Sequence, residues 1–159
     1  MRLTTLALTL LPLPAFAQTL PDMTSPPYLT EAIVQGGQLV VETVPADGYD
    51  TRQLMFNGSP VPGIVDGSVY IQAVIPAGGE DWVLVSVASG GNACPTLWAI
   101  VATSPEGARP TEVFGTCSEA ILNLRHDVEG IAFEIPGAVE GDPDVTYVYD
   151  GDALTTVQP

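Results

Sequence analysis

From Gln38 onward the chain is broken roughly every ten residues by Gly, Pro, Asn or Asp, and between the breaks it reads as short runs rich in Val, Ile, Thr, Tyr and Phe. Such runs are shorter than the three turns of an average helix and match the usual length of a strand. Strands are expected at 38–44, 52–56, 68–75, 81–88, 96–103, 111–117, 120–125, 130–135, 146–150 and 153–157. Alternation is visible in Val69, Ile71, Ala73 and Ile75, and again in Val83, Val85 and Val87. The expected fold is all-β and antiparallel, a sandwich or a strongly curved meander.

Ahead of this region stand two segments of different character. Residues 1–17 carry Arg2, an apolar run from Leu3 to Leu13 and the small-x-small signal Ala15-Phe16-Ala17, the pattern of a secretory signal peptide. The run is about half the roughly 20 residues that span a bilayer, and Pro12 and Pro14 interrupt it, so no membrane insertion is expected. Residues 18–37 form an N-terminal segment in which Ser25, Pro26 and Pro27 suit the start of a short helix and Gly36 and Gly37 its stop. Tyr28, Leu29, Ala32 and Ile33 fit a helical period over 26–35, with an edge strand as the alternative. Residues 38–159 are expected as a single β domain, in a soluble protein of the periplasm or the extracellular medium.

Charge narrows the partners. Loss of Arg2 with the leader leaves Arg52, Arg109 and Arg125 against 19 acids, and there is no lysine; the whole chain carries −15. Nucleic acids and anionic membrane surfaces need a basic footprint and are excluded as partners. A cationic protein is the partner such a surface suits.

The two cysteines, Cys94 and Cys117, belong to an exported chain and are expected as a disulfide. Closing a loop of about 24 residues stabilises a fold by roughly 3 kcal/mol. A zinc site needs four ligands, and two cysteines with the single His126 fall short; a redox pair needs cysteines two residues apart, and Pro95 follows Cys94 directly. The runs 96–103 and 111–117 are expected to pair across SPEGARP, which sets Trp98 opposite Cys117 with its ring over the bridge. Trp82 and Trp98 are expected in the core.

Leu54-Met55-Phe56-Asn57-Gly58-Ser59-Pro60-Val61 is echoed by Tyr147-Val148-Tyr149-Asp150-Gly151-Asp152-Ala153-Leu154. Asn-Gly and Asp-Gly suit type I′ hairpins, and turn chemistry rather than a repeated unit accounts for the echo. The order GGNACP, an aromatic-apolar strand, FGTCS and YVYDGDAL, over roughly residues 54 to 154, resembles a group of exported β proteins of proteobacteria to which no activity is assigned. The resemblance implies compartment and fold, and transfers no functional residue.

Candidate chemistry is sparse. His126 adjoins Asp127, but neighbours on a strand point to opposite faces and no G-x-S-x-G elbow is present, so a hydrolase triad is not expected. Asp142, Asp144, Asp150 and Asp152, with Glu140 and with Asp47 and Asp50, place carboxylates two or three apart in turns, as in calcium sites. Their spacing does not match an EF-hand and Asp is a common turn residue, so neither metal nor other cofactor is expected. Glu80 and Asp81 beside Trp82, and Glu134, are the carboxylates a glycosidase pair would draw on. GGNACP has no lysine or helix start to make a phosphate loop. The function expected is non-enzymatic: a binding or interaction module with an acidic surface. A small carboxylate hydrolase and a structural envelope protein are the alternatives.

Overall fold

The computed structural model describes residues 18–157 apart from 21, 25–27, 47, 89–90, 92 and 128. The leader read at 1–17, the cap at Ser25 with Pro26 and Pro27, and Asp47 lie outside the described residues.

The described chain forms strands and no helix. β1 (Gln18–Thr19) comes first and joins the last of three antiparallel sheets. The first sheet is built from β2 (Glu31–Val34), β3 (Gly37–Ala46), β4 (Tyr49–Phe56) and β5 (Ser59–Asp66). The middle sheet follows with β6 (Ser68–Ala77), β7 (Glu80–Ala88), β8 (Leu97–Ser104) and β9 (Gly107–Pro110). The last sheet holds β10 (Leu122–His126), β11 (Ile131–Ile135), β12 (Val145–Tyr149) and β13 (Leu154–Val157), with β1 along the free edge of β10. Each sheet is thus built on a meander of four consecutive strands, to which the last adds β1.

The three sheets stack in layers. Val83, Val85 and Val87 of β7 and Ala99 and Val101 of β8 pack against Leu39, Leu54, Phe56, Val61 and Ile64 of the first sheet. The intervening residues Trp82, Leu84, Trp98, Ile100 and Ala102 pack against Leu124, Ile131, Phe133, Tyr147 and Tyr149 of the last. Successive side chains of a strand point to opposite faces, so a strand covered on both sides must be apolar throughout. This is why β7 is apolar from Trp82 to Val87 save for Ser86 and β8 from Leu97 to Ala102, and both tryptophans lie in the core as expected.

Several expected elements shift. Residues 31–34 are a strand, not the end of a helix: Val34 pairs with Gly37, and Gly36, at φ +81°, makes the hairpin turn that reads in sequence as a helix stop. β5 is unforeseen because Pro60 and Pro62 argue against a strand, yet it pairs only with β4 and edge strands tolerate proline. In the middle sheet Ser104 pairs with Gly107, so the chain turns at Pro105-Glu106 and residues expected in the turn form β9. Trp98 therefore faces Phe114 rather than Cys117, through one isolated bridge, and 111–117 is not a strand.

The echoed segments occupy equivalent places, the hairpin from third to fourth strand in the first and last sheets. Asn57 and Gly58, both at positive φ, make the two-residue turn expected for Asn-Gly. Asp150-Gly151 does not: Tyr149 pairs with Leu154 across a four-residue loop, held because Asp150 Oδ1 accepts from the N–H groups of Asp152 and Ala153.

The N-terminal segment ties the layers together. Leu20 and Met23 bond to Leu124 and Ile121 beside the last sheet, Leu29 exchanges two bonds with Ile71 of the middle sheet, and β2 then opens the first. Cys94 and Cys117 form a disulfide that joins the β7–β8 connection to the β9–β10 connection.

Candidate functional site

The fold separates the carboxylates that spacing brought together. Glu140, Asp142 and Asp144 precede β12 while Asp150 and Asp152 follow it, so a five-residue strand holds the two groups roughly 20 Å apart. Among the described residues no three His, Cys, Asp or Glu side chains gather as metal ligands. Asp150 is occupied by its own turn, and the N–H groups of Ala153 and Asp152 hold its carboxyl below the usual aspartate range.

Glu80 and Asp81 turn to opposite faces of the middle sheet. Glu80 accepts from Trp82 Nε1 at 2.6 Å and from Arg109 at 2.8 Å on the side of the last sheet. Asp81, buried, accepts from Gln35 N–H at 2.8 Å and so pins the β2–β3 turn of the first sheet. Glu134 accepts from Asn123 Nδ2 at 2.6 Å and alternates with the inward Phe133 and Ile135, which puts it on the outer face of the last sheet. Glu80 and Glu134 thus lie on opposite sides of that sheet, and no glycosidase pair is assembled from them. Asp127 accepts from Glu129 and Gly130 N–H in its own turn, and does not orient His126.

What the fold does assemble is a cleft of about 340 Å³ between the segment after β9 and the β12–β13 turn, lined by Thr111, Glu112, Val113, Phe114, Asp152 and Leu154. Thr111 is fixed by exchange with Ile100, its N–H donating to the carbonyl at 2.8 Å and its Oγ1 accepting the Ile100 N–H at 3.1 Å. Phe114 is fixed by its bridge to Trp98 and by packing on Tyr147 and Phe133, with centroids 4.9 and 5.9 Å away. Apolar surface at Val113, Phe114 and Leu154 thus lies beside the anchored Thr111 and Phe114, with exposed Glu112 and Asp152 at its rim.

The field behind the cleft is mixed. Burial pushes the Tyr149 phenol up; Arg109 draws it down, and Glu80, Asp150 and Asp152 push it further up. Arg109 is itself engaged by Glu80, and Arg52 lies over the Tyr70 ring at 4.7 Å. The arrangement offers apolar contact ringed by uncompensated carboxylate. Of the cleft residues the sequence singled out only Asp152, since Glu112, Val113 and Phe114 stand in a stretch that reads as a strand and gains its exposed face from the early turn at Pro105-Glu106. No family model, characterised protein or solved structure matches this chain.

Proposed function

We propose that this protein is an exported β domain, periplasmic or secreted, that acts by binding a cationic protein, and that the contact centres on the cleft between Thr111–Phe114 and the β12–β13 turn. The apolar leader and the disulfide support export. The observation that carries the reading is the cleft itself: an apolar floor rimmed by Glu112 and Asp152, in a chain whose 19 acids face only Arg52, Arg109 and Arg125 once Arg2 has left with the leader. A basic side chain lays its methylene stem on such a floor and its charge against the rim. The surrounding negative field speeds the encounter.

The test is calorimetric titration with an arginine-rich peptide carrying one leucine. Binding should weaken steeply with salt, and Glu112→Gln with Asp152→Asn should weaken it about five- to tenfold. Removing the charges of Glu140, Asp142 and Asp144, at the far end of β12, should change it less than twofold, roughly. Equal losses from the two sets, or binding indifferent to salt, would refute the cleft as the contact.

A further inference from the structure

We infer that the recess beside Tyr28, where the N-terminal segment crosses onto the middle sheet, binds a neutral, hydroxyl-rich ligand the size of one sugar ring. The recess has a volume of about 240 Å³ and lies apart from the acidic cleft. Its wall is an aromatic corner: the rings of Tyr28 and Tyr70 meet edge to face with centroids 4.9 Å apart, and Tyr28 is 60% exposed. An exposed tyrosine held in that way offers a flat apolar surface for the C–H face of a ring.

The floor is polar and built. Ser86 and Thr96 are buried residues that nonetheless line the recess. Ser86 Oγ accepts from Gln72 Nε2 at 2.6 Å, which leaves its own hydroxyl hydrogen to donate elsewhere. Gln72 is the extra residue of a bulge in β6, a feature that re-aims side chains. Its Oε1 is buried and has no hydrogen-bond partner among the described residues. Gln72 itself does not line the recess; the Ser86 and Thr96 hydroxyls, each a donor and an acceptor, suit a ligand whose hydroxyls are both.

The third side is clamped. Thr96 and Glu119 come from the two connections that the Cys94–Cys117 disulfide joins, and Cys117 stands at φ +72°, a left-handed conformation uncommon for a residue with a side chain.

Charge selects the ligand class. The Arg52 guanidinium over the Tyr70 ring disfavours a second cation at that aromatic corner, and Glu119 in a chain of net charge −15 disfavours an anion. A neutral polyol meets neither penalty, with Glu119 free to accept from one of its hydroxyls.

The test is saturation-transfer NMR on the intact protein with glucose, galactose, mannose and N-acetylglucosamine, each also as a soluble oligosaccharide, and with tetramethylammonium and acetate as charged probes. Saturation should reach the ring C–H protons of at least one sugar. Tyr28→Ala should weaken that sugar about fivefold or more, while Tyr28→Phe, which keeps the ring, should retain it. Stronger binding of the oligosaccharide would identify a chain end as the ligand and stronger binding of the monosaccharide a free sugar, either supporting the site. No transfer to any sugar, transfer that survives Tyr28→Ala, or binding of tetramethylammonium in place of sugars would overturn the proposal. Thr96→Val provides a second variant, expected to lose binding with the melting curve little changed; retention of full affinity in it would count against the polar floor.

Discussion

Gly36 is the residue on which the first sheet seats against the middle one. It turns the chain between β2 and β3 at φ +81°, and a Cβ there would meet the backbone of Ser104 and Pro105 at the β8–β9 turn. Its neighbour Gln35 donates to buried Asp81, so the turn is bonded as well as packed. Gly58, at φ +78°, has the same backbone conformation with open space where a side chain would go. The pair separates two penalties that a glycine substitution usually mixes. Gly58→Ala should cost about 1 kcal/mol, the left-handed conformation alone, and Gly36→Ala about 3 kcal/mol or more because backbone must also move. Urea unfolding of the two variants measures the difference, and equal losses would mean that the hairpin yields freely. Nothing in the sequence marks one of these glycines as special, because both sit in turns; only the layer stacked on Gly36 distinguishes them.

Among the elements, the two connections joined by Cys94 and Cys117 have little ladder bonding of their own. Between β9 and β10 the chain makes one bridge at Phe114 and one at Ile121, with Trp98 Nε1 donating to Ser118 O at 3.0 Å. Thr111 bonds to Ile100 and Thr116 Oγ1 donates to Pro136 O, and the disulfide adds the covalent tie of this stretch to the β7–β8 connection. Replacing both cysteines by alanine should lower stability by roughly 3 kcal/mol with the far-UV circular dichroism still β-dominated, and the native protein should take up no alkylating agent without reductant. Modification of both thiols in unreduced protein would contradict the bridge. The pairing itself was legible, since two cysteines with no metal-ligand or redox spacing leave few alternatives. Its geometry was not: the register of the β8–β9 hairpin depends on whether Pro105-Glu106 or Gly107-Ala108 makes the turn, and breakers crowd the whole of SPEGARP. β5 was illegible for a related reason, its prolines marking an edge that only the finished sheet reveals. Phe56-Asn57-Gly58-Ser59, by contrast, reads straight from residue to turn. The cleft was hidden because Asp152 comes from one sheet and Glu112 from the approach to another, and no spacing rule joins them.

For the whole molecule the governing quantities are charge and layering. With net charge −15 and Asp81 the only buried charged residue among the described residues, acidic groups repel across the surface. Salt should therefore raise the melting temperature, and Ca²⁺ should raise it no more than NaCl of equal ionic strength, since the acidic turns stand at opposite ends of β12. A Ca²⁺-specific rise abolished by Asp150→Asn or Asp152→Asn would show a site built there after all. The fold class followed from punctuation, but the third layer did not: Val83, Val85 and Val87 show one buried face, and the equally apolar Trp82 and Leu84 between them were the sign of the second. Meanders in sequence order leave most pairings between neighbours along the chain, which favours rapid formation of each sheet. The crossing segment is the exception, for Asp22 accepts from Asn123 N–H across 101 residues and Thr19 pairs with Arg125. Thr19, Asp22 and Met23 thus find their partners only when the last sheet exists. A factor that holds Thr19, Asp22 and Met23 away from the last sheet during synthesis would delay completion of its β1 edge while the first and middle sheets form without it.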